Sequence, residues 1–232
     1  MSGQLGEMFC QRFGSVYDIV GVFSQNVPRT PSQLHWFVDP LNPTATIPEN
    51  ACAVHAIQAN LLQEGEPERV VDTTLERFGR IDFLVNSAAF SNWTPMLHND
   101  DLQAHFHYHF TINAFVPLQL SMLVANKFWK YRRDENRLMN RSVVNISSTA
   151  GYFIYPGSGQ GLYSASKGAL NYLTMHMADE FESIGVRANA LAPNSFPGLI
   201  PTESAADGIV KLSESDVTGK TLILDEDGEH WT

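Results

Sequence analysis

The sequence predicts a three-layer α/β fold, a doubly wound parallel sheet in a single domain over residues 1–232. Two observations predict it. Apolar runs bounded by turn residues recur as "YDIVGVFS", "ACAVHAIQAN", "IDFLVN", "SVVNIS", "VRANALA" and "TLILD", each short and apolar throughout, as strands buried on both faces are. Helical spacing fills several of the gaps between them, and alternating strand and helix implies parallel strands joined by crossover helices. The chain of 232 residues, 44% hydrophobic, suffices for one sizeable core.

At the start, "SGQLG" places Gly3 and Gly6 around Gln4 and Leu5, and Met8, Phe9, Arg12 and Phe13 follow at helical spacing. A phosphate-cradling turn passes into its helix in this way, yet no strand precedes it. The run ending in "GVFS" comes next, and residues 25–50 then carry five prolines, which favours an extended surface excursion with an aromatic-rich centre, "LHWFVDP". Further helices are expected over 66–78, about 102–131, about 163–184 and 204–212, and "KYRRDENR" reads as the solvated end of the second. Leu170, Leu173, Met177 and Phe181 form the buried or subunit-facing stripe of the third.

The formal net charge is -10, which repels phosphate backbones and anionic lipid, so no nucleic acid or membrane partner is expected. Two cysteines, no long apolar run and no basic-then-apolar leader point to the cytoplasm. Histidines 98, 105, 107 and 109 cluster, with His105 and His109 at the i, i+4 spacing of a metal pair, but no cysteine completes a site, so no metal is expected and the histidines are expected on a helix face.

Chemistry concentrates in "SVVNISSTAGYFIYPGSGQGLYSASKGAL". Tyr163 and Lys167 lie one helical turn apart on one face, where an ammonium favours the phenolate and lets a tyrosine exchange a proton near neutral pH. Ser148 falls just past a strand, at the carboxyl edge where open α/β sheets bind ligands.

"NISSTAG", "YSASK", "VRANALAP" and "IDFLVNSAA" together resemble the short-chain dehydrogenase/reductase family, whose sheet is Rossmann-like. The resemblance implies that Tyr163 is the general acid/base, that Lys167 tunes it and holds the nicotinamide ribose, and that Ser148 orients the substrate carbonyl. Asn113 completes the set as part of a proton relay. The residues support it independently, because Pro117, four positions on, lacks the N–H that the Asn113 carbonyl would receive in a helix. Cofactor contacts implied by the resemblance are Gln4, Leu5 and Gly6 in the remnant loop, Ser24 and Gln25 after the first strand, Asn60 and Leu61 after the second, Asn86 and Ala88 after the third, and Pro193 and Ser195. With no carboxylate after the first strand, NADP(H) is favoured over NAD(H).

The region 193–203 is a short substrate loop, suited to a flat or bulky carbonyl or alcohol substrate beside Phe90, Trp93, Tyr152 and Phe153. A homodimer or homotetramer is expected through the two long helices. In the family the first strand is central and ends in the glycine loop that "SGQLG" only finishes. The sheet is therefore expected to lack its first strand, and the natural protein to carry roughly 10 more residues, one strand and half a loop. The altered "NSAA" and "APNS" motifs keep a second reading open, a non-catalytic nucleotide-binding or interaction protein.

Overall fold

The computed structural model describes residues 3–26, 28 and 54–232. The Pro-rich excursion expected over 25–50 lies, beyond Gln25, Asn26 and Pro28, outside the described residues. Residues 1–60 and 61–232 form two compact units.

In the first unit, helix α1 (Gln4–Phe13) starts after an extended Gly3, with no side chain capping its first amides. It buries Leu5 and Cys10. At its far end the rings of Phe9, Phe13 and Tyr17 pack together, with Phe9 and Tyr17 stacked at 6.1 Å. Strands β1 (Ile19–Phe23) and β2 (Val54–Gln58) pair in parallel, from Ile19 opposite Val54 to Phe23 opposite Gln58. Val54 through Ile57 are all buried, as expected of a strand covered on both faces.

The second unit is built on a five-stranded sheet of β3 (Phe83–Asn86), β4 (Ser142–Ile146), β5 (Arg187–Pro193), β6 (Thr221–Asp225) and β7 (Gly228–Trp231), in that spatial order. The first four strands are parallel and β7 returns antiparallel on the edge. Helix α2 (Glu66–Phe78) precedes β3, and the crossovers are a long helical run from α3 (Leu102–Phe110) into α4 (Val116–Val124), then α6 (Gly161–Glu182) and α7 (Thr202–Glu214).

Side chains alternate across the strands and so divide between two helical layers. Val143 and Ala188 turn to one face, in a core with Val71 of α2, Val116, Leu120 and Val124 of α4, and Met177 and Phe181 of α6. Leu191 and Leu224 turn to the other, where α7 lies so close that a Cβ at Gly208 would come within 3.0 Å of Leu191. Fully burying a leucine-sized side chain stabilises by about 1.5–3 kcal/mol, so the two layers together give the sheet most of its support. The Rossmann-like α/β fold expected from the sequence is the fold observed, and no strand precedes α1 among the described residues.

Three features differ from the sequence reading. "KYRRDENR" does not simply end the long helix, because a separate helix, α5 (Arg133–Leu138), forms over its second half. Its Asn136 donates to the carbonyls of Trp129 and Ile184, and the buried Arg141 binds Asp82, Glu135 and Asn136. Strand β7 was not expected, since "GEHW" is exposed throughout and has no apolar alternation. The long helix is regular only in part: it widens to π-helix at Thr111–Phe115 and again at Ala125–Trp129. No helix among the described residues is long and apolar enough to cross a membrane.

Candidate active site

The site of the second unit lies at the carboxyl edge of β4, where the chain turns through a single 3₁₀ turn, Thr149–Gly151. Ser148 opens that turn in extended conformation, and its hydroxyl accepts from the Ala150 amide at 3.2 Å. Gly151 lets the turn press onto α6. A Cβ there would fall 2.7 Å from Asn171 Nδ2 and 2.9 Å from the Lys167 carbonyl carbon, so only glycine fits without displacement. The close approach sets the Ser148 hydroxyl near enough to that of Tyr163 to act on its ionisation. Burial raises the Tyr163 hydroxyl above its usual pKa, and the neighbouring Ser148 hydroxyl opposes the rise.

Lys167, one turn further along α6, is buried and donates from Nζ to the Ile146 carbonyl at 2.7 Å. Burial lowers its pKa to about 8, so the ammonium still predominates at neutral pH. Nζ lies 5.8 Å from the Tyr163 ring centroid. An ammonium carries three protons, so two remain for the hydroxyls of a ribose, and in that respect the residues present fit a nicotinamide nucleotide. The sequence reading had Lys167 lower the Tyr163 pKa; among the causes acting on that hydroxyl here, burial is the largest.

Asn113 sits in the π-helical turn. The Pro117 ring meets the carbonyl of residue 113, four back, and offers it no proton, which a wider turn accommodates; the Val116 amide accordingly reaches back to the Thr111 carbonyl. The Asn113 side chain is wholly buried. Its Oδ1 accepts from the Phe90 amide at 2.8 Å, and its Nδ2 donates to the Phe90 carbonyl and to Ser166 Oγ, both at 2.9 Å. It therefore ties the loop after β3 to α6 directly beside the tyrosine.

Sequence reasoning missed His109. The spacing suggested a helix face; instead the ring is buried, within 6.2 Å of the Tyr163 ring and 4.8 Å of Phe90, with Nε2 3.0 Å from the Asn92 carbonyl. Burial lowers its pKa, which keeps it neutral. The i, i+4 partner His105 accepts from Asn92 Nδ2 at Nε2, since an amide nitrogen only donates, and so presents its Nδ1 proton to Asn99 Oδ1 at 2.8 Å. Both rings thus hold the loop over residues 92–99. A signal existed in the sequence: His109 lies four before Asn113, on the face that must be buried if Asn113 is.

The expected cofactor and substrate residues fare unevenly. Asn86 turns inward, donating to Asn145 Oδ1 at 2.8 Å, and Asn145 donates in turn to Thr174. Its side chain braces strands and leaves only its backbone to a ligand. Ala88 is exposed after β3, Pro193 is buried at the end of β5, and Ser195 is exposed with φ 44°. Leu61 packs against the core, so its side chain is unavailable. In the first unit Gln4, Leu5 and Gly6 form the opening turn of α1, with the Leu5 side chain buried. Ser24 and Gln25 follow β1, the Ser24 carbonyl accepting from Gln58, and Asn60 is exposed past β2. Phe90 is half-buried beside Tyr108, and Trp93 and Phe153 are exposed. Tyr152 departs from the expectation. Its hydroxyl donates to Thr221 at 2.6 Å, at the amino end of β6, because the close-packed turn at Gly151 sends the next side chain down the sheet and away from the carboxyl edge.

A family model described as short chain dehydrogenase matches residues 38–207. The chain belongs to the short-chain dehydrogenase family. Among relatives, a 3-oxoacyl-[acyl-carrier-protein] reductase of Synechocystis sp. is 32% identical over 161 residues, which cover 68% of this chain and 58% of that protein. A farnesol dehydrogenase of Aedes aegypti is 25% identical over 186 residues, covering 78% and 72%. The solved structure of a 4-hydroxyisoleucine dehydrogenase complexed with NADH and succinate superposes with a TM-score of 0.69 over 97% of this chain and 94% of that one, at 23% identity, a likeness of fold. The family match by itself assigns no role to Asn113, Ser148, Tyr163 or Lys167. It does not account for His109, which the geometry alone brings to the tyrosine.

Proposed function

We propose that the chain is an NAD(P)(H)-dependent oxidoreductase that interconverts a carbonyl compound and its alcohol, with Tyr163 as the proton donor and acceptor. The observation that carries the reading is one cluster: a half-buried Tyr163 beside Ser148, above a buried Lys167 ammonium, at the carboxyl edge of a parallel sheet. A nicotinamide held beside Lys167 would supply or accept the hydride. Ser148 donates to the substrate oxygen and fixes it against Tyr163. With its pKa raised, Tyr163 enters the cycle as the protonated phenol and gives its proton to the oxygen as charge develops there. Lys167 offers positive charge nearby and its two remaining protons to the ribose. Asn113 acts as a positioning residue through its grip on Phe90 and Ser166.

The absence of a carboxylate at Ser24, Gln25 and Asn26 supports NADP(H) over NAD(H). The groove on the long helices, lined by Phe106, Phe110, Phe115, Leu118, Ala169 and Leu173, supports a homodimer or homotetramer. A panel of ketones and alcohols with each cofactor, followed by nicotinamide absorbance, tests the reading. Turnover with at least one pair is expected, faster with the phosphorylated cofactor. Nucleotide binding without any turnover would instead identify a non-catalytic member.

A further inference from the structure

Three loops of residues 61–232 adjoin the Ser148–Tyr163 pair. Residues 93–98 pack on the start of α6, where a Cβ at Gly159 would lie 3.0 Å from Pro95 and one at Gly161 3.0 Å from the end of Met96. Residues 149–160 are tied to residues 194–200 through the Tyr155 hydroxyl, 2.8 Å from Thr149 Oγ1 and 3.2 Å from Asn194 Oδ1. Together the loops turn Trp93, Met96, Leu97, Phe153, Ile154 and Leu199 to solvent. Leu97 is 94% and Ile154 91% exposed, so neither contributes to the core. Large apolar side chains exposed together on neighbouring loops mark a surface that something apolar covers.

Charge narrows what that is. No Lys or Arg occurs in residues 88–101, 148–163 or 194–201. Lys167 behind them is 2% exposed and already engaged with Ile146. Among the described residues, carboxylates stand at the ends of these loops, Asp100, Asp101 and Glu226, the last accepting from Asn194 Nδ2 at 3.1 Å. A phosphate or carboxylate on the substrate would find no counter-ion in these loops and like charge beside them.

We infer that the substrate is an uncharged, water-insoluble carbonyl compound or alcohol whose apolar body lies across Trp93, Met96, Leu97, Phe153, Ile154 and Leu199, and not one carried on an anionic handle. The inference rests on the oxidoreductase reading above and names the substrate class of that same site.

The test is a methyl ketone series lengthened one methylene at a time, with a matching series ending in a carboxylate, assayed with NADPH and NADH. The neutral series should gain in kcat/KM by up to about fourfold per methylene, the transfer of a CH₂ out of water. The carboxylates should fall about tenfold or more below their neutral partners. The double variant Leu97→Ser, Ile154→Ser should flatten the chain-length slope. In parallel, decanol and decanoate are titrated against the fluorescence of the wild type and of Trp93→Phe; decanol should change the Trp93 signal and decanoate should not. Turnover with a flat slope, or with the carboxylates preferred, overturns the inference and leaves the oxidoreductase reading intact. Decanol binding without turnover of any ketone overturns the oxidoreductase reading, and with it the substrate assignment, while leaving these loops as a site for an apolar ligand. If the double variant lowers the sedimentation coefficient but keeps the slope, the patch covers a second copy of the chain and the inference fails.

Discussion

Replacing Lys167 by methionine should stabilise the protein while abolishing its activity. The Lys167 side chain is buried and has a pKa of about 8, against an ordinary value of 10.5. Each unit of difference is about 1.4 kcal/mol between the two protonation states, so holding the ammonium in the folded interior costs about 3 kcal/mol at neutral pH. Methionine matches the stem in volume and removes that cost. It also leaves the Ile146 carbonyl without its donor, a loss of about 1–3 kcal/mol. The net gain at pH 7 is therefore about 0–2 kcal/mol. The pH dependence is the sharper sign. Between pH 8 and 10.5 the unfolded lysine still binds a proton and the folded one does not, so wild-type stability rises with pH across that window relative to the variant. Going from pH 8 to 9.5 should shift the difference towards the wild type by about 2 kcal/mol. Urea titrations of both proteins at the two pH values measure it. A variant less stable by more than about 1 kcal/mol at pH 7, with a pH-independent difference, would refute burial as the cause of the lowered pKa.

Asn113→Ala removes three buried hydrogen bonds around Phe90 and Ser166 and should cost about 2–4 kcal/mol in urea unfolding, with kcat falling more than KM changes. His109→Phe fills a similar volume but frees the Asn92 carbonyl, so faster amide exchange is expected across residues 90–94 by mass spectrometry, with α6 unchanged. Sedimentation velocity should show a dimer or tetramer, and Leu118→Glu in the groove on the long helices should shift it to a smaller species.

Most of the fold could be read in the sequence because buried parallel strands are uniformly apolar and α/β crossovers follow helical periodicity. Glu66–Phe78 was placed to the residue, helped by Pro67 in its first turn and Gly79 after its last. Strand β7 escaped because an exposed edge strand needs no apolar pattern, and α5 because its reason for existing, the buried Asn136 and Arg141, is tertiary. The site was legible where spacing carries the chemistry, as with Tyr163 and Lys167 on one helical face. The carbonyl of Asn113 was legible for a covalent reason, the missing proton of Pro117. Side-chain direction was not. Nothing in "TAGYF" says that Tyr152 reaches for Thr221, and nothing in "HFHYHF" says which histidine is inside. Both depend on contacts between segments far apart in sequence.

The central claim is that the Tyr163 hydroxyl moves the proton. Tyr163→Phe keeps the ring against His109 and Lys167 and deletes only that oxygen. With the best ketone and cofactor from the panel, single-turnover kinetics should slow by about 10²-fold or more while nucleotide affinity stays within a few-fold of wild type. A variant that keeps the wild-type single-turnover rate would contradict the account.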